Sequence, residues 1–237
     1  MILAAKDIML TYSPRSSKDP KILLRDLNFD LPQGCFLGLL GKNGCGKTTL
    51  LRTLSGVLKP LLGKIYLEHN SLYDLSPIHR AQMVAMVTTS WPSNMSMMGR
   101  DILLLGRYPY LSGPNYSTQD DELVSDLAMR MGMQDFLDKP FFELSDGQRQ
   151  KIMIGRALAQ KTKFLFLDEP FTYLDIKQKD WLFEFLHDYA CNQQVGILFS
   201  THDRFIVDQL DNVFALDGHG SGAVLKKENI SNYLASF

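Results

Sequence analysis

Eight residues, Gly41-Lys42-Asn43-Gly44-Cys45-Gly46-Lys47-Thr48, constrain this chain more than any other stretch. They fit the pattern G-x-x-x-x-G-K-[ST], which works only between a strand and a helix. Both flanks are present. Phe36 to Leu40 is a short apolar run, and Thr48 to Leu54 suits a helix ending near Gly56. Gly41, Gly44 and Gly46 let the backbone wrap closely and turn its N–H groups toward phosphate oxygens. Lys47 can reach the β and γ phosphates, and the Thr48 hydroxyl can bind Mg²⁺. The following helix adds its positive end. A glycine-rich turn that matched by chance would lack these flanks.

A second element fits the first. Phe164-Leu165-Phe166-Leu167 is wholly apolar, as in a parallel strand covered on both faces, and it ends in Asp168-Glu169. Asp168 is suited to hold Mg²⁺ through water, and Glu169 to polarise an attacking water. An acidic strand end with no such role is the alternative; the phosphate loop weighs against it. His202 follows the apolar run Val195 to Phe199 and Ser200-Thr201. A single histidine is more often structural, but at the end of another core strand it suits hydrogen bonding to a γ phosphate.

Composition narrows the class. The 237 residues are 45% hydrophobic and 22% charged, enough for a large core in one domain with a subdomain. A net charge of -1 favours neither a nucleic-acid surface nor a polybasic membrane patch. No apolar run approaches the roughly 18–20 residues that span a bilayer. The residues from Met1 to Asp7 lack the basic start and apolar stretch of a signal peptide. Cys35, Cys45 and Cys191 have no metal-ligand spacing, which suggests a reducing cytosolic setting.

Along the chain, residues 1–35 read as short strands and turns, with Ile8, Leu10 and Tyr12 alternating as on a half-buried strand. Ser13 to Pro20, polar with two prolines, reads as an exposed loop. Val84 to Val87 and Val213 to Leu216 read as buried strands. Between about Ser90 and Lys139 the texture changes. Gly, Pro, Ser and Asn interrupt the chain until Thr118, and Asp120 to Met131 is then expected to be helical, with Leu123, Leu127 and Met131 on one face. Helices are also expected over Arg149 to Ala159 and over Trp181 to Tyr189, the latter with Trp181/Phe185 and Leu182/Leu186 as stacked pairs. Strands alternating with helices indicate an α/β core.

Between the two phosphate-handling elements lies Leu144-Ser145-Asp146-Gly147-Gln148. With Gly41–Thr48, the Asp168-Glu169 pair, Asp175 within Thr172-Tyr173-Leu174-Asp175, and His202, all in this order, the chain resembles the ATP-binding subunits of ATP-binding-cassette (ABC) transporters over essentially its whole length. The resemblance implies an α/β fold: a RecA-like phosphate-loop NTPase core with an antiparallel β subdomain and an inserted helical subdomain. The core would be residues 1–89 and 150–237, and the helical subdomain 90–149.

It further implies ATP and Mg²⁺ as cofactors. Nucleotide would be held by Gly41, Lys42, Asn43, Gly44, Cys45, Gly46, Lys47, Thr48 and Thr49, with Tyr12 stacked on adenine. A core or edge tyrosine is the other reading of Tyr12. Catalysis would fall to Glu169, His202 and Lys47, and metal binding to Thr48 and Asp168. Ser145, Gly147 and Gln148 form the signature, which in this family acts on the ATP of a partner subunit in a head-to-tail homodimer. A helix N-terminus with a free hydroxyl and exposed N–H groups suits that role. Asp146 replaces the commoner glycine and is expected to point away from the phosphate. Asp175 would contact the partner subunit, cap the next helix, or both.

The family normally has a glutamine after the strand matching Val84–Val87. Here that stretch is Val87-Thr88-Thr89-Ser90-Trp91, and Thr89, or Ser90, falls nearest the expected position. A hydroxyl there is shorter and would meet Mg²⁺ through water. Cys45 is either a small residue in a tight loop or a thiol activated at a helix N-terminus.

Gly106-Arg107-Tyr108-Pro109-Tyr110 and the run from Leu144 to Lys151 resemble the importer subgroup for iron-siderophores, haem and cobalamin. Tyr108 and Tyr110 would then lie near the membrane subunit, or else be core residues. The stand-alone format agrees with an importer, and the stretch after Leu216 is short for the regulatory domain of many sugar importers. Permease subunits would be direct partners and a substrate-binding protein an indirect one. No nucleic acid is implied. The chain would sit peripherally on the cytoplasmic face of the inner (cell) membrane. An exporter's ATPase, or a soluble ABC protein of translation or DNA repair, is the alternative.

Overall fold

A computed structural model describes residues 1–11, 22–91, 95–217 and 220–235. Tyr12 and the expected loop Ser13 to Pro20 lie outside the described residues.

Among the described residues, two sheets carry the fold. The first is antiparallel, in the order β2-β1-β4-β5, from β1 (Ile2–Thr11), β2 (Ile22–Pro32), β4 (Leu62–Leu67) and β5 (Asn70–Ser71). The strands β1 and β2 run 10 and 11 residues, longer than the short strands expected. Ile8 and Leu10 are buried, as their alternation predicts.

The second sheet has the order β10-β9-β3-β8-β7-β6. Its parallel part comprises β3 (Phe36–Leu40), β6 (Val84–Val87), β7 (Phe164–Leu167), β8 (Gly196–Ser200) and β9 (Asn212–Leu216). An antiparallel edge strand, β10 (Gly222–Lys226), closes one side. Every residue of β7 and β8 is buried. A continuous apolar run suits a strand with helices on both faces, and here one face meets α1 (Lys47–Leu54) and the antiparallel sheet. The other face meets α3 (Gly99–Leu105), α4 (Thr118–Arg130), α5 (Asp146–Ala159) and α6 (Ile176–Gln193). The remaining α-helices among the described residues are α2 (Pro77–Met83), α7 (Arg204–Val207) and α8 (Lys227–Ala235).

Helix starts differ from the sequence expectation where caps decide them. The helix α5 begins at Asp146, not Arg149, because Ser145 accepts from Gln148 N–H at 3.3 Å while Gln148 Oε1 accepts from Ser145 N–H at 3.0 Å. That reciprocal capping box is written in the sequence as S-x-x-Q. The helix α6 starts five residues before Trp181 because Asp175 accepts from Gln178 N–H at 2.9 Å. Trp181 and Phe185 do stack, at 5.3 Å and 26°. The helix α3 falls in the stretch read as interrupted; Asp101 Oδ2 secures its start by accepting from Met98 N–H at 3.3 Å. On α4 the buried face centres on Val124, Leu127 and Ala128, with Leu123 at its margin.

The segment Gly106–Tyr110 is held by its arginine. Arg107 Nε lies 2.7 Å from Asp120 Oδ1 and its Nη1 donates to Ala159 O at 2.8 Å, while the guanidinium covers the Tyr110 ring at 4.2 Å. The core-packing reading fails for Tyr108, which is 67% exposed. A Cβ on Gly106 would stand 2.2 Å from Arg156 O, so only glycine lets α3 end this close to α5.

Candidate phosphate-handling site

Strand order builds the site. The neighbours β3, β8, β7 and β6 are parallel, so their carboxyl ends emerge at one edge of the sheet. This is where open α/β sheets place ligands. The loop 41–46 leaves β3, Thr201 and His202 follow β8, Asp168 and Glu169 follow β7, and Thr88 and Thr89 follow β6.

Around the loop, Gly44 and Gly46 adopt φ 78° and 107°, a region that disfavours side chains. Gly41 serves by proximity, since a Cβ there would meet Cys45 Sγ at 2.5 Å. Gly46 caps α1 without a side-chain hydrogen bond, so the first N–H groups of that helix are left for an anion. Lys47 Nζ donates to Gly41 O at 2.7 Å and to Lys42 O at 3.3 Å, which holds the ammonium above the loop.

Opposite the loop, Thr48 Oγ1 lies 2.8 Å from Asp168 Oδ2. A second hydroxyl, that of Ser200, donates to Asp168 Oδ1 at 2.7 Å and accepts from Glu169 N–H at 2.9 Å. Ser200 is fully buried and Asp168 is 4% exposed. Sequence reasoning passed over Ser200. Its signal is positional: Leu167 pairs with Phe199, so the next residues, Asp168 and Ser200, face each other. Glu169 stands at φ 48°, in left-handed backbone. Its Oε1 lies 2.9 Å from His202 Nδ1, which leaves Nε2 as the ring nitrogen that can face a ligand.

Asn43, Gly44, Gly46, Lys47, Thr48, Thr49, Thr89, Asp168 and Glu169, with Leu23, line one cavity of about 320 Å³, while Gly41, Lys42, Cys45 and His202 are not among its lining residues. Such a lining offers N–H donors and a cation on one side and hard oxygen donors on the other. Thr48 Oγ1 and an Asp168 carboxylate oxygen in hydrogen-bond contact are a donor set that fits Mg²⁺, which binds few protein oxygens and keeps waters and phosphates. Thr89 is brought to this cavity; Ser90 is not among its lining residues.

Of the two readings of Cys45, the small residue in a tight loop fits better than the activated thiol. Burial pushes its thiol above the ordinary value, and the charge of Lys47 pulls back less. The helix terminus therefore does not prevail over desolvation.

Ser145, Asp146, Gly147, Gln148, Lys151, Tyr173 and Gln178 line a separate cavity of about 470 Å³. Among the described residues none lines both cavities. Contrary to the free hydroxyl expected from sequence, Ser145 Oγ accepts the cap bond, which still leaves its proton for donation. Asp146 Oδ1 accepts from Arg149 Nη1 at 3.1 Å. Gly147 packs against the loop before α6, where a Cβ would stand 3.1 Å from Tyr173 O.

Residues 24–172 match the family model described as "ABC transporter". The petrobactin import ATP-binding protein of Bacillus anthracis is 31% identical over 230 residues, covering 96% of this chain and 82% of its own. The iron(3+)-hydroxamate import ATP-binding protein of Bacillus subtilis is 33% identical over 186 residues, 77% of this chain and 68% of its own. A solved structure described as an inward-facing metal-chelate type ABC transporter is 28% identical, with a TM-score of 0.80 over 99% of this chain and 87% of that one.

Proposed function

The chain belongs to the family of ABC transporter ATP-binding proteins, which are ATP hydrolases, and from that premise we propose that it powers an importer of a metal chelate. Iron-siderophore, haem and cobalamin are the cargo classes. Two relatives named for import of petrobactin and of iron(3+)-hydroxamate support this reading, as does the segment Gly106–Tyr110.

The observation that carries the mechanism is the separation of the two cavities. One holds the phosphate-loop residues, Asp168 and Glu169; the other holds Ser145 and Gly147 at the start of α5. Each is half of a site, completed when two copies meet head to tail. In the first half the loop N–H groups and Lys47 bind the phosphates. Thr48 and Asp168 would hold Mg²⁺, with Thr89 joining through water, and the ion when bound would supply neutralisation of phosphate charge. Glu169 orients and polarises the attacking water, while His202, fixed by its Nδ1 contact with Glu169, offers Nε2 to the γ phosphate. In the second half, the Ser145 hydroxyl and the α5 N–H groups meet the partner's γ phosphate, and Asp175 contacts the partner while capping α6.

The unit would consist of a core from residues 1–89 and 150–237 and a helical subdomain from 90–149. Its partners would be a second copy, the permease subunits and, indirectly, a substrate-binding protein, at the cytoplasmic face of the cell membrane. Among the described residues no helix is long and apolar enough to cross a membrane.

Ser145→Arg tests the division of labour. ATP binding to the single chain should persist while hydrolysis is abolished; lost binding would contradict the two-half reading. Thr89→Ala should lower the ATPase rate and weaken its Mg²⁺ dependence, and an unchanged titration would remove Thr89 from the site. Vesicle uptake with the cognate permease, comparing iron-siderophore, haem and cobalamin, decides the cargo. Export of any of them would overturn the importer reading.

A further inference from the structure

The loop leaving β6 spans from the first cavity toward the second through one side chain. Thr89 lines the phosphate-handling cavity. Two residues on, half-buried Trp91 packs against rings from two other segments. Its ring centroid lies 5.5 Å from that of Tyr173 at 61°, and 6.4 Å from that of Phe141 at 87°. Tilted and edge-to-face pairs at such separations are attractive.

Both rings lead to the start of α5. The backbone of Tyr173 is the close neighbour of Gly147, whose absent Cβ would stand 3.1 Å from Tyr173 O. Phe141 is fully buried; its carbonyl accepts from Arg149 Nε at 3.0 Å, and its ring lies 5.8 Å from that guanidinium. Arg149 in turn donates to Asp146, in the first turn of α5. Thr88 Oγ1 donates to Ser90 O at 3.1 Å, a bond that shapes the turn presenting Trp91. Trp91 itself lines neither cavity.

We propose that Trp91 is a positioning residue that ties the Thr89 loop to the Tyr173 loop and to the signature turn, so that occupancy of the first half-site sets the geometry of the second. The proposal rests on the reading of the two cavities as halves of one ATP site. The short hydroxyl side chains of Thr88, Thr89 and Ser90 cannot span to Tyr173 or Phe141; the indole can. Packed rings have few alternative arrangements, so a displaced backbone at residue 91 moves its partners with it.

Steady-state ATP hydrolysis by the full chain tests this, with Trp91→Ala, Trp91→Phe, Tyr173→Ala and the double alanine variant. Trp91→Ala should lower kcat about tenfold with KM for ATP changed less than about twofold, the signature of an interaction used in the transition state. Trp91→Phe should recover at least about a third of the rate, since a ring persists. The double variant should be no slower than the slower single one, because a severed link cannot be severed again. Multiplicative losses, an unchanged kcat, or a raised KM alone would each overturn the proposal.

A second measurement does not depend on the alanine variants folding. The chain has two tryptophans, so Trp181→Phe leaves Trp91 as the sole indole reporter. Its emission should respond to Mg-ATP in that background and lose the association-dependent part when Ser145→Arg is added. Identical responses in both backgrounds, or none in either, would overturn the proposal. A wild-type chain that hydrolyses no ATP would instead defeat the function proposed above, whereas full activity in Trp91→Ala defeats only the role of Trp91.

Discussion

Ser200→Ala removes a hydroxyl that does two things at once. It donates to a carboxylate oxygen of Asp168 at 2.7 Å and accepts the Glu169 N–H at 2.9 Å, at a fully buried position. A hydrogen bond to a charged group contributes about 1.5–3 kcal/mol, and a neutral backbone bond about 1 kcal/mol. Replacing the hydroxyl by hydrogen changes little volume, so the cavity contribution is small. Asp168 is left buried and the Glu169 N–H part-buried without it, and the expected destabilisation is about 2.5–4 kcal/mol. For a chain of this length that lowers Tm by roughly 5–16 °C, at about 2–4 °C per kcal/mol. Calorimetry and guanidinium unfolding of the nucleotide-free chain should agree on the size. The same variant should lose about 10–100-fold in ATP turnover, the usual effect of removing a group that orients a metal-binding carboxylate. A loss of stability below about 1 kcal/mol would mean that water replaces the hydroxyl, and the account of Ser200 as the fixture of this edge would be refuted.

Two further outcomes follow from electrostatics. The hydrogen bond from Arg107, aided by Ser117, holds the Asp120 carboxyl below its ordinary value. A carboxyl depressed in the folded state contributes stability above its unfolded pKa, near about 3.9, and loses it as pH falls through the folded value. Arg107→Ala should therefore cost about 3–5 kcal/mol near neutral pH, a gap that narrows in urea titrations run below about pH 4; a constant gap would assign the effect to packing. For Cys45, burial raises the thiol, so alkylation near neutral pH should label exposed Cys191 well before Cys45, with labelling of Cys45 accelerating in alkaline buffer. Faster labelling of Cys45 than of Cys191 would contradict the burial argument.

What the sequence disclosed was contiguous. Gly41–Thr48 and Phe164–Glu169 each carry their own strand, turn and chemistry, so local pattern sufficed. Ser200 was invisible because its role comes from β8 lying between β3 and β7, a strand order set by tertiary packing. Trp91 escaped for the same reason: its partners Phe141 and Tyr173 come from distant segments. The early start of α5 was legible, since Ser145 and Gln148 spell a capping box. The two readings of Cys45 stayed open because position at a helix terminus is readable from sequence and burial is not.

The left-handed backbone at Glu169 has a consequence for how this protein can be improved. A non-glycine residue at φ 48° carries strain on the order of 1 kcal/mol or more, and here the Ser200 hydroxyl pins the strained peptide in place. Glycine would relieve that strain and remove the carboxylate beside His202. On the role proposed for Glu169, selection for thermal endurance alone would thus favour an inert protein at this position, and stabilising libraries should hold residue 169 fixed while they vary the rest.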